Sequence, residues 1–121
     1  AGSLLRNDLE IMVCDLDVER ISSFRAEGRT GTMRAAEVMR ACDVLVNCLP
    51  NPAASAAVWC EMLPYVTEGK IWMEMSTTDG AEVKRLGAKF MTARGLAADC
   101  SVSGGFHRAA TGNVSILAGC D

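Results

Sequence analysis

Asp43-Val44-Leu45-Val46-Asn47-Cys48-Leu49-Pro50 is the stretch on which the fold turns. A short, nearly continuous apolar run of this kind reads as a strand covered on both faces. Pro50 ends it, because proline lacks an amide donor and fixes its own φ. Downstream, Ala53 to Leu63 reads as an alanine-rich helix stopped by Pro64 and Gly69. Lys70 to Met75 is the next strand, closed by Ser76-Thr77-Thr78-Asp79-Gly80, and Ala81 to Met91 the next helix, with Val83, Leu86 and Phe90 on one side. Leu96 to Val102 and Val114 to Ala118 complete the strands, the last introduced by the turn Thr111-Gly112-Asn113.

Upstream the same alternation holds. Glu10 to Asp15 is an apolar strand ending in an acid. Asp17 can cap a helix running to about Arg25, with Val18, Ile21 and Phe24 spaced for one face. Gly28 and Gly31 break that helix, and Ala35 to Ala41 reads as another short one. Strands and helices alternating through short loops imply an α/β fold: a doubly wound, mainly parallel sheet with helices on both faces. The chemistry of such sheets gathers beyond the carboxyl ends of the strands. Asp15, Leu49 to Pro52, Ser76 to Thr78 and Ser103 to Gly105 are therefore the candidate site.

Bulk properties narrow the function. The chain has 121 residues, enough for one ordinary domain, and half of it is apolar. A net charge of -3 and scattered arginines argue against a nucleic-acid surface. No apolar run reaches the roughly 18 residues of a membrane span. Six cysteines (Cys14, Cys42, Cys48, Cys60, Cys100, Cys120) include no Cys-x-x-Cys pair, and there is one histidine, so no metal site is expected. Cys14, Cys48, Cys100 and Cys120 lie in or beside apolar runs, where Cys acts as a small hydrophobe. A reduced, cytoplasmic chain follows from this usage.

Each strand end has a plain reading beside a chemical one. Asp15 could accept hydrogen bonds from an adenosine ribose and repel a 2′-phosphate, or, like Asp17, merely cap the next helix. Leu16 follows it where a phosphate-binding cofactor favours arginine, which leans toward NAD. Leu49-Pro50-Asn51-Pro52 is a helix-entry loop or a crevice wall. Ser76-Thr77-Thr78-Asp79 is a helix cap or a set of donors for a ribose or carboxylate. Ser103-Gly104-Gly105 is a tight turn, or a place where a ligand approaches backbone amides closely. His107 reads as part of a helix start.

Taken in order, Val13-Cys14-Asp15, Asp43 to Pro50, Met75-Ser76-Thr77 and Asp99 to Gly105 resemble the cofactor-binding domain of the β-hydroxyacid dehydrogenases. These include 3-hydroxyisobutyrate dehydrogenase-like enzymes and are related to 6-phosphogluconate dehydrogenase. The tail from Ala110 to Asp121 resembles the stretch that follows in that family, so the likeness spans nearly the whole chain. It implies a Rossmann-type domain that binds NAD(P), NAD favoured, and hydride transfer to or from a small 3-hydroxy acid. Carried over, Asp15 meets the adenosine ribose, Leu49 and Pro50 line the cofactor, and Thr77 contacts its nicotinamide half. Ser103, Gly104 and Gly105 hold the substrate carboxylate.

The resemblance also implies a homo-oligomeric full-length protein and a proton-transfer lysine on a later helix, a role that Lys84 and Lys89 do not match. The family opens with a central strand and a Gly-x-Gly-x-x-Gly loop, which this sequence lacks. Residues 1 to 8 resemble the end of the helix after that loop. Residues 1–121 are accordingly expected to be a partial NAD(P)-binding domain, without its first strand and without the helical second domain, poorly stable and inactive alone. A non-catalytic Rossmann-like binding or scaffold module is the alternative.

Overall fold

The computed structural model describes residues 2–119. Its elements in chain order are α1 (Gly2–Leu5), β1 (Met12–Cys14), α2 (Val18–Ala26), β2 (Thr30–Thr32), α3 (Ala35–Ala41), β3 (Val44–Asn47), α4 (Pro52–Met62), β4 (Ile71–Glu74), α5 (Gly80–Thr92), β5 (Leu96–Ser103), α6 (Gly105–Thr111) and β6 (Ser115–Gly119). A short 3-10 turn, Leu63–Tyr65, follows α4 and takes in Pro64. The part of the expected tail strand at Cys120 lies outside the described residues.

The helix starts follow from local chemistry. Asp17 caps α2 by accepting from the Glu19 and Arg20 amides, Asn51 caps α4 by accepting from Ala54 N, and Asp79 caps α5 by accepting from Ala81 N. Pro52 stands in the first turn of α4, where its missing donor costs nothing.

The strands form two sheets: β1 with β2, and β3-β4-β5-β6 in that order. β1–β2, β3–β4 and β4–β5 are parallel, while β6 returns antiparallel on β5. The strand β2 is absent from the sequence reading. Its Thr30-Gly31-Thr32 is three residues long and centred on glycine, so it carries neither apolar run nor alternation. Gly31, read as a helix breaker, instead lets β2 approach α2: a Cβ there would lie 3.3 Å from Ile21 Cγ2. The strands read as 10–15 and 43–50 are also shorter, Met12–Cys14 and Val44–Asn47, because the flanking residues turn into loops.

Helices flank both faces of the β1–β2 pair, with Ile21 of α2 against Gly31 and Glu37 of α3 accepting from Thr32 Oγ1. Of the apolar trio in α2 only Ile21 is buried. Over the four-stranded sheet the packing is one-sided. Leu45, Trp72 and Ala97 lie in register on one face and join α4 and α5 in the core. Val44, Val46 and Leu96 alternate to the other face and stay exposed. The short helix α1 does not cover them; it packs against α6, with Arg6 Nη2 donating to Ala110 O at 2.6 Å.

The core centres on Trp59, Trp72 and Phe90, whose ring centroids are 5.8 to 6.1 Å apart. Ala35, Val38 and Met39 of α3 belong to the same cluster, and Met12 of β1 packs against it. One core therefore spans both sheets and fixes the carboxyl ends of their strands relative to each other.

Candidate functional site

β1 runs parallel to β2, and β3, β4 and β5 run parallel to one another, so the turns after β3 and β4 lie side by side at one edge of their sheet. Asp15 directly follows β1. Its Oδ1 accepts from Asp17 N at 3.0 Å, and its Oδ2 lies 3.6 Å from Arg20 Nη1. Arg20 also reaches Asp17 at 3.2 Å, so one guanidinium sits between two carboxylates. One Asp15 oxygen thus shapes the turn, while the group stays partly exposed. Leu16 beside it is largely exposed.

After β3, Leu49 N donates to Ser76 Oγ at 2.8 Å, and the chain enters α4 through Pro50, Asn51 and Pro52. After β4, Ser76 is buried while Thr77 is exposed at the same edge. The structure therefore brings Leu49 and Thr77 together through Ser76. The neighbouring Thr78 Oγ1 is buried without a hydrogen-bond partner.

Ser103-Gly104-Gly105 stands apart. β5 pairs with β4 only as far as Glu74–Asp99, and its last four residues pair with β6 alone. At about 3.3 Å per residue the turn lies some 13 Å beyond the end of β4. Gly104 has φ +125° and Gly105 φ +69°, so the two glycines meet a real backbone demand. A Cβ at Gly104 would also sit 2.8 Å from Arg108 Cδ, whereas Gly105 faces open space. Left-handed backbone costs a non-glycine residue about 1–2 kcal/mol, and rarer conformations up to about 3 kcal/mol. Gly104→Ala is therefore expected to lower stability by about 2–3 kcal/mol and Gly105→Ala by about 1 kcal/mol in urea denaturation. Equal costs would contradict this backbone. His107 lies within α6, stacked on Phe106 at 3.8 Å between ring centroids.

Sequence reasoning missed the buried polar cluster at the same edge. Glu74, the last residue of β4, is fully buried; its Oε1 accepts from Ser76 N at 3.0 Å and its Oε2 from Asn47 Nδ2 at 3.4 Å. The signal was alternation: Glu74 is two residues from Trp72 and Asn47 two from Leu45, so both share the core face. Arg20 was missed because a helix arginine looks like ordinary surface.

The cysteine reading needs correction. Cys14 and Cys48 are exposed, being at or just past strand ends, and only Cys100 is buried as expected. Cys120 lies outside the described residues. Partial burial, followed by the Glu61, Asp15 and Glu37 carboxylates, holds the Cys14 thiol above its ordinary pKa. Among the described residues no cluster of His, Cys, Asp and Glu could hold a metal ion, and no helix is long and apolar enough to cross a membrane. A cavity of about 610 Å³ lies between α1 and α2, lined by Leu5, Arg20, Phe24 and Arg29, and shares Arg20 with the Asp15 turn.

The chain is 29% identical over 124 residues to an L-threonate dehydrogenase of Cupriavidus necator, covering 97% of this chain and 40% of that protein. It is 26% identical over 129 residues to the mitochondrial 3-hydroxyisobutyrate dehydrogenase of Mus musculus, covering 98% of this chain and 36% of the relative. Its fold matches the crystal structure of a 3-hydroxyisobutyrate dehydrogenase from Salmonella typhimurium with a TM-score of 0.89 and 28% identity, over 98% of this chain and 42% of that one. The chain thus spans about two fifths of the length of these relatives. The family model described as the NAD binding domain of 6-phosphogluconate dehydrogenase matches residues 1–121, and the chain belongs to that family.

Proposed function

We propose that this chain is the dinucleotide-binding part of an oxidoreductase that moves a hydride between NAD(P) and a small 3-hydroxy acid. What supports the reading is that Asp15, Leu49-Pro50 and Thr77 each follow the carboxyl end of a parallel strand, β1, β3 and β4, with Leu49 tied to the turn that carries Thr77 through Ser76. That edge is where a doubly wound sheet takes its ligand.

The residues fit a dinucleotide. Asp15 offers a carboxylate to vicinal ribose hydroxyls, Leu49 and Pro50 an apolar wall, and Thr77 an exposed hydroxyl. Bound there, the cofactor would supply a two-electron hydride acceptor. NAD is favoured over NADP, because Asp15 and Asp17 together outweigh Arg20 and leave a net charge of −1 from these three groups (−2 + 1). Ser103, Gly104 and Gly105 would hold the substrate carboxylate through exposed amides and a hydroxyl.

The domain reading belongs to the same proposal: residues 1–121 as a partial NAD(P)-binding domain, completed by a Gly-rich strand-loop and a helical, lysine-bearing domain in a homo-oligomeric full-length protein. A reducing compartment, the cytoplasm being one, suits the thiols of Cys14, Cys42, Cys48 and Cys60. The test is turnover: the full-length protein supplied with NAD or NADP and a panel of 3-hydroxy acids should form reduced cofactor, read at its absorbance. Cofactor binding without turnover of any of them would favour the non-catalytic module instead.

A further inference from the structure

We propose that Glu74 is a positioning residue for the cofactor edge: from its buried place at the end of β4 it sets the backbone of the two turns that carry Leu49, Pro50 and Thr77. The inference rests on the reading of those turns as cofactor-lining.

A carboxyl group with no exposure and no basic side chain bonded to it among the described residues is an expensive thing to keep in a core. A methionine or leucine would fill the same space at lower cost. What the carboxyl group adds is two acceptors pointing in two directions. Oε2 takes the Asn47 side-chain amide at the end of β3, and Oε1 takes the Ser76 main-chain amide in the turn after β4. Ser76, so held, uses its own Oγ to accept from Leu49 N at 2.8 Å. Asn47, Glu74 and Ser76 are 5%, 0% and 2% exposed, so water does not compete for these bonds.

The bonds run in a closed circuit across neighbouring strands. Residues 47 and 75 are already joined by the main chain, Met75 N to Asn47 O at 2.8 Å. The side chains extend that pairing two residues past the end of the sheet, where main-chain pairing has stopped. A directional bond to Ser76 N fixes the peptide plane that leads into Thr77, and the bond to Leu49 N does the same for the approach to Pro50. The precision of a ligand site depends on such supporting bonds.

The geometry gives each oxygen of the Glu74 carboxyl group its own donor. Glutamine has nearly the same volume but puts a donor where Glu74 has an acceptor: facing Ser76 N–H it is donor against donor, and facing Asn47 it is matched only if the Asn47 amide turns over. Asn47→Asp alone sets a second carboxylate against Glu74. Combining Asn47→Asp with Glu74→Gln restores the pattern with roles exchanged. The new amide at position 74 donates to the new carboxylate at position 47, and its oxygen still accepts from Ser76 N.

In the full-length protein Asn47→Asp alone and Glu74→Met alone, which removes both acceptors, are each expected to raise the Kd for NAD about tenfold, one lost hydrogen bond's worth, and the Asn47→Asp/Glu74→Gln double variant to recover most of it. Amide exchange at Leu49 and Ser76 should quicken in each single variant and slow again in the double, with Leu45 and Trp72 unchanged. Single variants that keep wild-type affinity and wild-type exchange would overturn the proposal. So would a double variant that fails to recover, or losses that track a general fall in Tm. Failure of the functional reading is separable: a wild-type protein that binds neither NAD nor NADP refutes that reading, while exchange at Leu49 and Ser76 still decides whether Glu74 sets the two turns.

Discussion

Asp15→Arg in the full-length protein is expected to lower affinity for NAD by about 10- to 150-fold and to move the preference toward NADP. A charge-assisted hydrogen bond from a ribose hydroxyl is worth about 1.5–3 kcal/mol, and 1.4 kcal/mol is a factor of ten. The wild-type turn carries Asp15 and Asp17 against Arg20 alone. Substitution changes the sum of those three charges from −1 to +1, so a 2′-phosphate meets attraction where it met repulsion. Because Asp15 Oδ1 also holds Asp17 N at 3.0 Å, the arginine variant disturbs the turn as well. Asp15→Asn separates the two effects: its amide oxygen can still accept from Asp17 N, yet it loses the second acceptor. It should weaken NAD binding at unchanged Tm. An unaltered ratio of NAD to NADP affinity in Asp15→Arg would remove Asp15 as the ribose reader.

The second large effect concerns the core. Phe90 is fully buried, 6.0 Å from the Trp59 ring and 6.1 Å from the Trp72 ring, and the main chain at Gly95 passes directly against it. Phe90→Ala should cost about 3–5 kcal/mol, the range for truncating a buried aromatic. Single domains have only about 5–15 kcal/mol in total, so urea denaturation should show a large fall in midpoint. The same contact predicts coupling. A Cβ at Gly95 would overlap the Phe90 ring, so Gly95→Ala should be destabilising in the wild type and far less so once Phe90 is alanine. Additive losses, or a Phe90→Ala cost below about 1 kcal/mol, would contradict the packing described.

What could be read from the sequence was whatever depends on near neighbours. Val44-Leu45-Val46 declared β3, Asp17 declared the start of α2, and residues 49–52 and 76–79 marked the entries to α4 and α5, because a cap acts over two or three residues. The positive φ of Gly104 and Gly105 was legible for the same local reason. The strand β2 was hidden because Thr30-Gly31-Thr32 is held by Ile21 on one side and Glu37 on the other, contacts that no local pattern records. The exposure of Cys14 and Cys48 depends on where each strand stops, which moved by one to three residues.

The candidate site divides along the same line. Asp15, Leu49, Pro50 and Thr77 could be singled out because each closes a strand. The buried trio of Asn47, Glu74 and Ser76 escaped, since polar residues at strand ends are usually surface, and here Asn47 and Glu74 lie opposite each other in the β3–β4 pair on its core face. The one-sided cover of the four-stranded sheet was equally out of reach, because it depends on α1 packing against α6 rather than over Val44 and Val46.

The most direct measurement is hydrogen exchange across the full-length protein with and without saturating NAD. Protection should concentrate in three separate turns, residues 14–17, 48–51 and 76–79, with little change along the exposed strand β6. Protection confined to the cavity between α1 and α2, or none in those turns while NAD is demonstrably bound, would contradict a cofactor edge built from Asp15, Leu49-Pro50 and Thr77.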